Sequence, residues 1–204
     1  MRKLINLVML SVGMLSFGLN QAADASLLGM PRNLRGVYEH IRFDVPTLPP
    51  MAYFQFCLRY TGECRPQQIV FRGGPIKMTE GRWSDLRDVN DAVNDTIVPQ
   101  RNLLGLAGEE WLINPGRGDC NDYAVSKRHM LLQRGWPARV LLLSEVRMAS
   151  GEHHLILVVR SDKGDLVLDN MSRVVKTWNK VPYSWVRMQS AANPNIWSTV
   201  VSRA

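Results

Sequence analysis

Gly118-Asp119-Cys120-Asn121-Asp122-Tyr123-Ala124 sets a cysteine between acidic residues at the start of a helix. Pro115 and Gly116 interrupt the chain just before it. Tyr123, Ala124, Met130, Leu131 and Leu132 supply apolar positions at roughly helical spacing, and Gly135 and Pro137 mark the far end. The pattern predicts a helix over 119–134. A thiol at a helix N-terminus feels the partial positive charge of unpaired amides, which favours thiolate and predicts a lowered pKa. Such amides also suit an oxyanion, with the N–H of Cys120 the first candidate donor. A small buried cysteine with no chemistry is the competing reading of this stretch alone.

Downstream, Glu152-His153-His154-Leu155-Ile156-Leu157-Val158-Val159 is a β-branched apolar run that reads as a buried strand. Ser161 to Gly164 form a turn, and Asp165-Leu166-Val167-Leu168-Asp169-Asn170 reads as a second strand, antiparallel to the first. Ala138 to Ser144 is a third strand, following the Gly135-Trp136-Pro137 break. A helix bearing Cys, a strand bearing His and a strand bearing Asp give the order found in papain-like and transglutaminase-like enzymes. In that chemistry the imidazole takes the thiol proton and returns it to the leaving group, while the carboxylate fixes the tautomer. The predicted fold is α+β, papain-like or transglutaminase-like, with the nucleophile helix packed on an antiparallel sheet.

The Gly-Asp-Cys-x-Asp-Tyr-Ala run, a histidine heading an apolar strand, and Leu168-Asp169-Asn170 some fifteen residues on resemble the bacterial transglutaminase-like cysteine peptidase family, of the LapG type. The resemblance spans roughly residues 80 to 175. It implies Cys120 as nucleophile, His154 as general base and Asp169 as the orienting acid. His153 and His154 face opposite sides of a strand, so one of them meets the thiol. The family pattern selects His154, which directly precedes the Leu-Ile-Leu stretch. Well-studied members are calcium-dependent periplasmic proteases that clip large surface adhesins, and a membrane receptor can sequester them. The resemblance therefore implies a calcium site at Asp119, Asn121 and Asp122, a protein substrate in the cell envelope and an inner-membrane regulatory receptor. Asn121 stands where a glutamate is usual, and its carbonyl ligates calcium with less charge. The two aspartates read equally well as negative charge on a helix N-terminus.

Outside this block, the first residues form a targeting segment. Arg2 and Lys3 precede a mostly apolar run from Leu4 to Leu19, and Ala23-Asp24-Ala25 offers a cleavage site. The reading is a secretory signal peptide over 1–25 and a peptidase domain over 26–204, periplasmic or secreted. The formal charge is +7 and falls to about +6 once Arg2, Lys3 and Asp24 leave. These charges are scattered and not interleaved with aromatics, which argues against nucleic acid as a partner. Export makes a local Cys57–Cys64 disulfide plausible and leaves Cys120 as an odd thiol.

The remaining chain carries weaker signals. Residues 26–50 are proline-rich and loop-like with room for a short edge strand, and His40 reads as a surface residue. Residues 51–60 are aromatic-rich core. Gly73, Gly74 and Pro75 form a turn without the pattern of a phosphate loop. A helix begins near Ser84 as N-cap, with Leu86, Val89, Val93 and Ile97 on one face and Asn90 and Asn94 beside it, in solvent on the simplest reading. Leu103, Leu104, Leu106 and Trp111 approach the nucleophile, the last as a core anchor. His129 lies too far along its helix to serve Cys120. Val174 to Val186 suggest one or two closing strands, and Trp197 to Val201 a last edge. No zinc spacing is present.

Three functions fit these residues. One is peptide-bond cleavage through a Cys120 acyl-enzyme. The second is transglutaminase, deamidase or amidase action on side-chain or cell-wall amides. The third is a non-catalytic envelope binding module.

Overall fold

The computed structural model describes residues 40–66, 74–103, 105 and 108–201. The signal segment 1–25, Gly73, Leu104 and Leu106 lie outside the described residues.

The strands are β1 (Phe43–Thr47), β2 (Val98–Pro99), β3 (Arg117–Gly118), β4 (Leu141–Arg147), β5 (His153–Ser161), β6 (Gly164–Asp169), β7 (Ser172–Thr177), β8 (Ser184–Gln189) and β9 (Trp197–Val200). The helices are α1 (Met51–Arg59), α2 (Glu80–Thr96) and α3 (Cys120–Gln133). Seven strands form one sheet in the order β1-β9-β8-β4-β5-β6-β7, with antiparallel pairs throughout. β2 and β3 form a small parallel pair. The α+β reading holds.

Period-two alternation divides the sheet between two cores. Leu155, Leu157 and Val159 join a core built with residues of α1, α2 and α3, among them Phe56, Leu86, Val93, Val125 and Leu131. Ile156 and Val158 face the other way, toward Val146, Val167, Trp178 and Met188. Each fully buried side chain of this class stabilises by about 1.5–3 kcal/mol, so β5, apolar on both faces, anchors the fold.

The helices depart from the sequence reading in instructive ways. α2 starts at Glu80, not near Ser84: Thr79 is the N-cap and accepts from the Arg82 amide, while the Ser84 hydroxyl donates to Asp88 within the helix. Asn90 is fully buried, not solvated; its amide donates to the carbonyls of Ser172 and Arg173 at 2.9 and 3.1 Å. The aromatic stretch 51–60 is largely helix α1. The Cys57–Cys64 disulfide is formed. It holds the turn at Thr61–Cys64, which sets Glu63 against Arg128 and His129 of α3.

β9 is not an edge strand: it lies between β1 and β8. β1 is the edge, as the 26–50 segment allowed. His40 is not a free surface residue, because its Nδ1 meets Asp165 Oδ1 at 2.9 Å. Asp165 is completely buried and also takes Arg160 and the Ile41 amide.

Candidate active site

Asp119 is the N-cap of α3 and accepts from the Asn121 amide at 2.9 Å. Asp122 reaches back to the Asp119 amide at 2.9 Å, completing a capping box that satisfies two end donors. The other Asp122 oxygen takes the Leu112 amide at 2.7 Å, tying the approach loop to the helix start. This closeness explains Gly118: a Cβ there would lie 2.2 Å from Asp122 Oδ2. Cys120 is therefore the first residue of a helix whose start is held from both sides.

The sulfur lies at a gap in the sheet. β5 and β6 pair only as far as Leu157↔Leu168, and β6 is irregular between Val167 and Asp169 where it meets β7. The near end of β5 thus lacks a strand on that side. Its Leu155 amide acts instead on the Cys120 thiol, favouring the thiolate. His154 is 4% exposed, and its Nε2 meets Asp169 Oδ1 at 2.9 Å. Facing a carboxylate, Nε2 donates, so in the neutral imidazole Nδ1 is left as the acceptor. The structure brings His154 and Asp169 together, and the Leu155 amide, next in the chain after His154, acts on the Cys120 thiol.

Asp169 has further support that sequence reasoning missed. Tyr183 donates its hydroxyl to Asp169 Oδ2 at 2.5 Å, and its ring lies against His154 with centroids 5.5 Å apart. The Met171 amide donates to Oδ1 at 3.0 Å. Asn94, which reads from sequence as exposed, donates to the Asp169 carbonyl at 3.1 Å. Burial alone would raise the Asp169 pKa; the bonds from His154 and Tyr183 outweigh it and hold the carboxyl below its ordinary range. The i, i+4 spacing of Asn90 and Asn94 was the available signal for the α2 contacts. Tyr183 had no local signal, since two chain reversals separate it from Asp169.

The thiol itself corrects an expectation. Its pKa is pushed up to about 12 rather than lowered. Burial is the main cause; the Leu155 amide acts against it, and the charges of Asp119, Glu109 and Asp122 add to it. Burial first, and three carboxylates after it, raise the thiol in spite of its place at a helix start. Burial, with Asp119 and Glu109 nearby, also raises Asp122 to about 6.

His153 is half-exposed and bonds Glu145, which also takes Arg187. His129 bonds Glu63 at 2.7 Å. Trp111 is 2% exposed, a core anchor whose Nε1 donates to Glu109 at 2.9 Å. Among the described residues no three His, Cys, Asp or Glu side chains are grouped to hold a metal. Asp119 and Asp122 supply two carboxylates at one place, and Asn121 adds an amide oxygen while its Nδ2 donates to Glu109 at 2.7 Å. These are hard oxygen donors of the class that calcium takes.

A search of curated proteins gave no match. Three structures of Legionella pneumophila LapG are similar. One is 20% identical over 57% of this chain and 66% of that one, with a TM-score of 0.48. The calcium-bound form is 20% identical over 57% and 68%, with a TM-score of 0.50. The EGTA-treated form is 19% identical over 60% and 69%, with a TM-score of 0.49. The first match thus spans just under two thirds of the LapG chain. At this identity the calcium-bound form bears on fold alone. The profile of the bacterial transglutaminase-like cysteine proteinases, BTLCP, matches residues 44–204. With that match over most of its length, the chain belongs to the bacterial transglutaminase-like cysteine proteinase family.

Proposed function

We propose that the protein is an exported cysteine endopeptidase that cuts a protein of the cell envelope or surface, of the large-adhesin kind, with Cys120, His154 and Asp169 as its triad. The observation that supports this reading is the buried His154–Asp169 bond, with Cys120 as the first residue of α3 and its thiol acted on by the Leu155 amide next to His154. Nδ1 of His154 takes the thiol proton as sulfur attacks the peptide carbonyl carbon. The Cys120 amide, at the open end of α3, receives the oxyanion. His154 then gives the proton to the leaving amine, and water hydrolyses the thioester. Asp169 holds the imidazole and balances its charge in both steps.

The test is terminal proteomics on the envelope fraction, comparing wild type with Cys120→Ala. New N-termini that vanish with the substitution support the reading and name the substrate. Unchanged termini in cells that export the protein overturn it, and a one-dalton gain on glutamine side chains would point to deamidation. The same data read the protein's own N-terminus, expected at Ser26 after signal cleavage.

Calcium belongs to the same proposal, at Asp119, Asn121 and Asp122. The hard donors at the start of α3 support it, and one LapG structure is itself calcium-bound. Bound there, calcium supplies positive charge that the local carboxylates lack. Saturating calcium should raise the melting temperature, by about 2.7 kcal/mol of stability at a hundredfold excess over its dissociation constant. An identical melt in calcium and in EGTA sinks the site. Regulation by an inner-membrane receptor is the remaining expectation of this reading, and co-purification of a membrane protein with the Cys120→Ala variant tests it.

A further inference from the structure

A cleft of about 390 Å³ opens beside the site, lined at its inner end by Asp169 and Tyr183 but not by Cys120 or His154. Its walls include Met148, Met171, Val174 and Val181. Two of these are strongly exposed for their type, Met171 at 62% and Val174 at 66%.

We propose that this cleft is the subsite for the leaving segment of the substrate, taking one aliphatic or methionine side chain from just beyond the scissile bond. The inference rests on the peptidase reading above. Its direction follows from the chemistry. The acyl part of the substrate stays on sulfur, while the amine takes its proton from the imidazole and departs past it. Tyr183 packs against that imidazole and also lines the cleft. A chain leaving over His154 therefore meets Tyr183 first and the cleft next.

The lining selects the occupant. The Tyr183 hydroxyl and Asp169 satisfy each other, so the inner end accepts an apolar group without stranding a polar one. Its volume falls within the range of sites that enclose a small ligand. Lys176 adds a positive charge to the wall, which favours acidic over basic neighbours in the departing segment.

The experiment is cleavage of a proteome-derived peptide library by the purified protein, read by mass spectrometry. Wild type is compared with Val174→Asp and Met171→Asp, both exposed positions, with melting curves as the folding control. The expected result is enrichment of Leu, Ile, Val or Met within the first three residues after the cut bond. Each variant should lower cleavage of those peptides by about tenfold or more, the scale on which pocket contacts discriminate, and move the preference toward Lys and Arg. Cleavage without that enrichment, or with an unchanged profile in folded variants, overturns the subsite and leaves the peptidase standing. Absence of Cys120-dependent cleavage by wild type overturns both.

Discussion

Tyr183 shows how much of a site can rest on a residue outside its motif. Its hydroxyl donates to Asp169 and its ring backs His154, so one side chain positions two others. Tyr183→Phe keeps the ring and removes the bond. A hydrogen bond to a charged group contributes about 1.5–3 kcal/mol, so the melting temperature should fall by several degrees and Cys120 alkylation by iodoacetamide at neutral pH should slow about tenfold. An unchanged rate would reduce Tyr183 to packing. At this scale the sequence was legible wherever chemistry and local pattern coincide. Gly118, Cys120, His154 and Asp169 each sit in a recognisable local frame, and His154 does meet Asp169. The pKa of Cys120 was not legible, because its sign depends on Glu109 arriving from a loop and on burial, both products of tertiary structure.

Among the elements, the β5–β6 hairpin and α3 were legible from alternation, turn residues and helix punctuation. α2 was displaced at its start because Thr79 and Ser84 are both credible caps, and local sequence does not rank them. β8 and β9 were blurred because the apolar residues of β8 mix buried and partly buried positions and β9 is only four residues long. The hairpin also carries a buried charge, two of whose partners come from far away in the chain. Asp165 is bound by His40, Arg160 and the Ile41 amide. Burial pushes its pKa up, but these partners outweigh it and hold the carboxyl below its ordinary range. A depressed pKa contributes stability above the unfolded value, near 3.9, and loses it as pH falls through the folded one. Urea denaturation should therefore show wild type weakening below about pH 4. Asp165→Asn should be less stable at pH 7, by about 3 kcal/mol for breaking a buried pair, with a flatter acid limb. Parallel acid limbs in the two proteins would sink the assignment.

For the molecule as a whole, the 46% hydrophobic composition read correctly as a globular chain with a proper core, and the buried apolar side chains among the described residues divide into two clusters on opposite faces of one sheet. The order of strands across that sheet was not legible, since pairing β1 with β9 joins residues from Phe43↔Val200 to Thr47↔Trp197, 150 or more positions apart. That pairing has a mechanical consequence. Phe43 sits opposite Val200, and Thr47 opposite Trp197, so both outward ends of the pair lie at the same extremity. Tension applied through the flanking chain on the two sides would load these hydrogen bonds one after another, as a zipper, and not together in shear. Under such a pull β1 peels away first, while β4, β5 and β6, which hold His154 and Asp169, lie on the far side of β8 and β9 from that edge.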